Sequence, residues 1–224
     1  GDMLYSNVSE DELVSLIAAA VRRELQKGGG QAARKNDRSV PTGISVRHIH
    51  LTRDDVDRLF GRNYRLTPKK RLSQPGQYAC EETLELIGPK GNIRRVRILG
   101  PERAKTQIEV AYSDARILGI DAPVRASGDV EGTPGIVLRG PLGDLLVKEG
   151  VIIADRHIHM TPQDAEHFRV KDGDRVSVRI DGVKPGIIDG VIIRVSDRYR
   201  LDFHIDTDDG NAFLLGQGDF VTVL

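Results

Sequence analysis

The tetrapeptide Arg-His-Ile-His occurs twice, at Arg47 to His50 and again at Arg156 to His159, within "SVRHIHLTRDDVDRLF" and "ADRHIHMTPQDAEHF". A threonine and an acidic stretch follow each copy. A chain that repeats so specific a pattern in its two halves is expected to fold as two related parts. The pattern also limits what each part can be. Side chains two apart on a strand project to the same face, so an extended motif places both imidazoles on one side and the isoleucine on the other. Ile49 and Ile158 then anchor in apolar packing, while His48 with His50 and His157 with His159 present paired nitrogens. Four of the six histidines lie in these pairs.

From about Ser45 onward the chain consists of short β-branched runs separated by glycine and proline turns. Examples are "TLELIGPKGNIRRVRIL", with Gly88 to Gly91 joining two strands, then "TQIEVA", "GIVLRGPLGDLLVKEGVIIA", "DRVSVRI", "GVIIRV", "LDFHID" and "DFVTVL". Short helices follow the histidine motifs: Thr52 can cap "RDDVDRLF", and Thr161 with Pro162 supplies an N-cap and a proline at the first helical position. A third helix is expected in "SDARILG", capped by Ser113. The fold expected is mainly β, with two β-barrel-like domains, internally duplicated, that carry short helical caps. Strand spacing alone leaves a sandwich open. The domains are placed at residues 40–150 and 151–224, after an N-terminal segment of residues 1–39.

That segment begins with an amphipathic helix. Ser9 and Glu12 have capping-box spacing, Val8 and Leu13 have staple spacing, and Leu13, Ile17, Ala20, Val21 and Leu25 form one stripe. Arg22, Arg23 and Lys27 suit the C-terminal end of the helix dipole, and Gly28 to Gly30 stop it. The polar "QAARKNDRSVPTG" reads as a linker. The apolar stripe either packs on the chain's own body or a second copy, or docks on another protein.

With 33 basic and 33 acidic residues the formal net charge is zero, which argues against a general grip on nucleic acid or an anionic membrane. One cysteine, Cys80, and the lack of a long apolar run point to a reducing intracellular compartment. Nothing local marks Cys80 as an activated nucleophile, so it reads as a packed small side chain.

Paired imidazoles on a strand suit a metal, zinc first among the candidates. A single His-Ile-His could equally be structural; two copies in one context favour a site. His204, alternating with Phe203 and Ile205, is a further ligand or a base, and His167 reads as surface. Such a set is either one crowded site or two. A dinuclear site normally includes carboxylates, and Glu109 shares a strand face with Gln107 in "KTQIEVA", although an exposed strand glutamate fits that pattern as well. Arg103, in the turn "GPERAKT", can hold a phosphate through paired hydrogen bonds. Arg47 and Arg156 point away from the first histidine of each pair and fit structural roles equally. Lys69, Lys70, Arg71, Arg94, Arg95 and Arg97 form basic clusters that are either solvated surface or a grip for a ligand with several phosphates. These features alone fit a metal-dependent hydrolase as well as a transferase.

From about Val40 to Leu224 the chain resembles the PduL-type phosphotransacylases, the phosphate propanoyltransferases of propanediol-utilisation microcompartments. The resemblance lies in "VRHIHLT", "ADRHIHMT", "GPERAKTQIEVAYSDARILGI", "APVRASGDVEGTPG" and "HIDTDDGNAF". It implies reversible transfer of an acyl group between coenzyme A and phosphate, with propanoyl-CoA or also acetyl-CoA as donor, at two zinc ions held between two barrels. It further implies His48, His50, Glu109, His157, His159 and His204 as zinc ligands, Arg103 as the active-site arginine, and Lys70, Arg97 and Asn211 as contacts to CoA. The N-terminal helix then resembles an encapsulation peptide that docks on shell or cargo proteins and places the enzyme in the lumen of a bacterial microcompartment; a homodimer is compatible with all of this. The rivals are a dinuclear zinc hydrolase of a thioester or phosphoester, and a non-catalytic microcompartment scaffold clamped by zinc.

Overall fold

The computed structural model describes residues 37–224, so the amphipathic helix expected before them lies outside the described residues. Arg38 to Leu224 form one compact unit. Within it, each His-Ile-His is a central strand with partners on both sides. The first copy is β2 (His48–His50), which follows β1 (Ser39–Ser45) and precedes helix α1 (Arg53–Phe60). Then come β3 (Pro68–Arg71), β4 (Tyr78–Ile87), β5 (Asn92–Gly100), β6 (Gln107–Glu109), helix α2 (Tyr112–Leu118), β7 (Val124–Arg125), β8 (Ile136–Gly140), β9 (Gly143–Val147) and β10 (Val151–Ala154). The second copy is β11 (His157–Met160), followed by helix α3 (Pro162–Phe168), β12 (Arg175–Ile180), β13 (Gly186–Val195), β14 (Asp202–Asp206), helix α4 (Thr207–Phe213) and β15 (Phe220–Val223).

The expected strand pairs are present, and the mainly β fold stands, but the two halves close differently. The strands β1-β14-β11-β13-β12-β15 form a closed barrel, whereas β7-β10-β6-β2-β5-β4-β8-β9, with β3 paired to β4, form an open nine-stranded sheet. The expectation of two barrels therefore holds for one half only. The open sheet ends at β9, where helix α1 packs alongside and Leu142 N donates to the Leu59 carbonyl at 3.2 Å. The helix thus packs its buried side, with Leu59, against this end of the sheet.

The barrel takes its first strand from the segment that reads as a linker. In β1, Thr42 to Ser45 run parallel to Phe203 to Asp206 of β14, and Ser39 to Pro41 run antiparallel to Phe220 to Thr222 of β15. Val40, fully buried, belongs to the core of the barrel with Ile158, Phe203 and Val223. A division at residue 150 assigns this strand to the first half; its hydrogen bonds lie with the second.

Local chemistry accounts for the helix starts. Thr52 accepts from Asp55 N at 3.1 Å, and Thr161 accepts from Asp164 N at 3.1 Å while the Asp164 carboxylate takes Thr161 N at 3.0 Å. Helix α2 departs from expectation: its N-cap is Ala111, whose N–H is met by the Asp114 carboxylate at 3.2 Å. Ser113 is engaged elsewhere, since its N–H and hydroxyl both donate to Asp208, at 2.8 and 2.7 Å. Each half has its own core, one around Ile49, Ile98, Ile108 and Leu138, the other around Ile158, Ile193 and Phe203.

The turn joining β4 to β5 meets the end of α2 so closely that a Cβ at Gly88 would lie 2.2 Å from the Leu118 carbonyl oxygen. Backbone on both sides would have to move. Gly88→Ala is expected to cost about 1–3 kcal/mol of stability, read as a lower midpoint in urea denaturation with an unchanged m-value.

Candidate metal centre

The alternation read from sequence is the geometry found. Ile49 and Ile158 are fully buried in their cores, and the imidazoles on the opposite faces turn toward one cleft of about 880 Å³ between sheet and barrel. The antiparallel neighbour of each motif strand supplies a third group at the matching register: His48 faces Glu109, and His157 faces His204. Two triads result, His48, His50 and Glu109 on the sheet and His157, His159 and His204 on the barrel, and the potential ligand atoms within each lie within 4.8 Å of one another.

The arginines before the motifs each pair with an aspartate in the helix after the third ligand. Arg47 reaches Asp114 at 2.9 Å, and Arg156 forms a bidentate pair with Asp209 at 2.8 Å for both bonds. These pairs brace the helices α2 and α4 against their histidine strands. His167 is exposed.

The ring nitrogens fit a metal. Nδ1 of His48 meets the Val46 carbonyl at 2.8 Å, and Nδ1 of His157 meets the Asp155 carbonyl at 2.7 Å. With Nδ1–H donating, each Nε2 carries the free lone pair. Nδ1 of His50 and of His159 are buried with no hydrogen-bond partner among the described residues, an arrangement that costs energy unless another atom is bound there. Each cluster offers three N/O donors, a number that suits a metal ion with one position left for a further ligand.

Electrostatics agree. Burial, followed by the charges of His48 and Arg103, pushes the pKa of His50 down to about 2. Burial and neighbouring histidines push His159 down to about 2 and His157 to about 4, so all three hold lone pairs at neutral pH. Burial also disfavours charge on His48, yet Glu109, 3.4 Å away, outweighs it and raises the pKa. Glu109 is held well below the usual carboxylate range: burial alone would raise it, but His48, His50 and Arg103 prevail.

Arg103 and Arg194 line the cleft from opposite halves, and among the described residues neither forms an ion pair with a carboxylate. Burial first, and Arg194 as well, lower the Arg103 pKa. Arg103 donates to Ser127 Oγ at 3.3 Å, and Ser127 in turn donates to Glu109 at 3.2 Å. Two guanidiniums facing a cleft, neither in direct contact with a carboxylate and only Arg103 sensing the nearby charge of Glu109, suit an anion. Lys70 and Arg97 also line the cleft, with Arg71 and Arg95, whereas Lys69 and Arg94 are turned aside to Glu81 and Glu85. Asn211 lies exposed on α4 and is not among the lining residues. Sequence reasoning missed Arg194 and Tyr199, whose ring lies 4.3 Å from that of His159. Arg194, the one charge near the end of the apolar run "GVIIRV", was the available signal. Cys80 is fully buried in the core of the sheet, outside the cleft, and burial pushes its thiol up to about 12.

A family model described as phosphate propanoyltransferase matches residues 41–216. The chain belongs to this family. It is 52% identical over 191 residues to the phosphate propanoyltransferase of Thermotoga maritima, covering 85% of this chain and 91% of that one. The Citrobacter freundii phosphate propanoyltransferase is 53% identical over 177 residues, 79% of this chain and 84% of its own. That of Salmonella typhimurium is 49% identical over 198 residues, 88% and 90% of the two chains. Phosphate propanoyltransferases are acyltransferases, and both triads, both cleft arginines and the basic wall fall inside the matched region.

The depressed histidines make a pH dependence for the metal-free protein. Their unfolded pKa is 6.5, so below that value the unfolded chain takes up protons first and stability falls, for His157 until about pH 4. His48 acts oppositely, its contribution being present below 6.5 and lost as pH rises through its raised value. Glu109 contributes above its unfolded 4.5 and loses that only in stronger acid. Three histidines outweigh one: in chelator, stability is expected to drop between pH 6.5 and pH 5, by up to about 2 kcal/mol for each histidine kept neutral, as read from urea titrations at the two pH values.

Proposed function

We propose that this chain transfers a propanoyl group reversibly between coenzyme A and inorganic phosphate, at two zinc ions held by His48, His50 and Glu109 and by His157, His159 and His204. The observation that carries this reading is the pairing, in one cleft, of two three-ligand clusters with two unpaired arginines and a basic wall. The relatives' name supplies the substrates. Arg103 and Arg194, one from each half, hold phosphate and neutralise its charge, fixing the oxygen that attacks the thioester carbonyl. The carbon–sulfur bond breaks, and CoA leaves as thiolate while propanoyl phosphate forms. Zinc, when bound, supplies Lewis-acid polarisation of the carbonyl and a soft partner for sulfur. Lys70 and Arg97 grip the phosphates of CoA along the wall of the cleft. Asn211, on the exposed face of α4, would reach CoA only where the molecule extends past the cleft. Attack is direct in this reading, and the single cysteine, buried away from the cleft with its thiol protonated, offers no cysteine acyl-enzyme route. Acetyl-CoA, one methylene shorter, is expected to serve as a weaker donor.

We further propose that the segment before Asp37 docks on shell or cargo proteins and places the enzyme inside a bacterial microcompartment, where released CoA is reused. Support comes from the amphipathic stripe at Leu13, Ile17 and Leu25. Among the described residues no helix is long and apolar enough to cross a membrane. A homodimer is consistent with this assignment, to be read by light scattering.

Release of CoA thiol from propanoyl-CoA by the full chain is expected to require both phosphate and zinc, to stop on chelation and to return on adding zinc. Arg103→Ala should lower it about 100-fold or more. Release without phosphate would indicate the hydrolase, and zinc uptake with no release would indicate the scaffold. For the N-terminal segment, the cut belongs before Asp37, since Arg38 Nε donates to the Val223 carbonyl at 2.8 Å and Val40 is core. Removing residues 1–36 is expected to preserve turnover and abolish co-localisation with the compartment in cells; retained co-localisation would refute the docking role.

A further inference from the structure

The two triads share more than their histidine pairs. Each third ligand sits on the strand antiparallel to its motif, and the residue two positions earlier on that strand pairs with the second histidine: His50 with Gln107, His159 with Asp202. The aspartate that holds the motif arginine then follows at the same distance, so Glu109 stands to Asp114 as His204 stands to Asp209. Gln107 and Asp202 therefore occupy equivalent positions, and both are almost fully buried, at 1% and 3% exposure.

Their chemistry differs in the way their neighbours require. On the sheet the third ligand is a carboxylate, which accepts hydrogen bonds. Gln107 Nε2 donates to Glu109 Oε1 at 2.7 Å, and the amide is held in that orientation because its Oε1 accepts from Gly128 N at 2.6 Å. On the barrel the third ligand is an imidazole, which can donate. There the equivalent residue is a carboxylate, and Asp202 Oδ2 meets His204 Nε2 at 2.8 Å. A serine completes each arrangement: Ser127 Oγ accepts from Gln107 at 2.9 Å, and Ser73 Oγ donates to Asp202 at 2.5 Å. The strand alongside leaves room for this, since a Cβ at Gly43 would lie 2.9 Å from His204 Cδ2 and 3.0 Å from both Asp202 oxygens.

We infer that Asp202 is a positioning residue: by accepting the Nε2–H of His204 it fixes that ring's tautomer and turns Nδ1 to the cleft as the ligand atom, the counterpart on the barrel of what Gln107 does for Glu109 on the sheet. His204 thus binds through the nitrogen opposite to the one presented by His157, whose Nδ1 is tied to a backbone carbonyl. Ser73 lies in the loop between β3 and β4, and the next residue, the buried Gln74, exchanges two hydrogen bonds with the Arg200 backbone at 3.0 and 3.2 Å. The loop that follows Lys70 and Arg71 is therefore fastened to β14, the strand that carries His204, and to the residues just before it.

The inference rests on the zinc reading for the ligand role alone, and the test separates the two. Histidine-labelled full chain is examined by long-range nitrogen–proton correlation, metal-free and after addition of zinc, beside zinc affinity from chelator competition. In both states the His204 proton is expected on Nε2. Asp202→Leu should lose that preference and weaken one of the two zinc sites by roughly 10- to 100-fold while leaving the other unchanged. Asp202→Asn, which keeps an acceptor oxygen, should retain the tautomer and lose less than about tenfold. A His204 proton on Nδ1 in the unmodified chain would overturn the inference, and this measurement needs no variant to fold. So would an Asp202→Leu protein with the original tautomer, whether its affinity is unchanged or lowered equally at both sites. If the unmodified chain takes up no zinc, the zinc reading falls, and the metal-free tautomer still decides the role of Asp202.

Discussion

Everything in the described chain depends on one property of extended backbone, that successive side chains leave on opposite faces. In His-Ile-His this property ties a core to a reactive surface within three residues. Ile49 and Ile158 are fully buried and cannot turn outward without leaving a hole, so the flanking histidines cannot turn inward. The position of the imidazoles is thereby determined by apolar packing on the far side of the strand. Because the two strands are central in the open sheet and in the closed barrel, neighbours on both sides hold their register. The site is placed by strands that are hydrogen-bonded on both edges and anchored in a core.

The same property made much of the site legible. The paired histidines, Glu109 beside Gln107, and His204 between Phe203 and Ile205 could all be read from alternation, and the structure brings them together in two clusters. What was missed depends on distant partners. The stretch Ser39–Ser45 contains Pro41 and Gly43, poor strand formers, and becomes a strand because β14 and β15 offer it hydrogen bonds. Ser113 was read as a cap by proximity, but the carboxylate of Asp208 from the other half claims it. Local pattern reports the face of a strand, and not which remote strand will lie against it.

The duplication is chemical as well as topological. Each motif arginine is paired to a helix aspartate, each first histidine is tied to a carbonyl two residues back, and each third ligand has a buried partner two residues before it. Divergence appears where the two halves do different work. One offers a carboxylate and the other an imidazole, which gives the two clusters different charge, and the supporting side chains differ to match. Arg103, from the turn between β5 and β6, and Arg194, from the strand β13, complete a surface that neither half has alone.

The barrel joins Ser39 to Thr222 and Val40 to Val221, so its first and last strands are hydrogen-bonded neighbours. Contacts so distant in sequence form late, because a long loop must close before they contribute. On the ribosome, β1 emerges early but meets its first partner only when Asp202–Asp206 has been made, and its second when Phe220–Val223 follows. The sheet has all its strands by Ala154, but the barrel and its histidines assemble only at the end of synthesis. A nascent chain therefore holds the sheet's half of the centre before the barrel's half exists, and the complete one arises in the final step of folding.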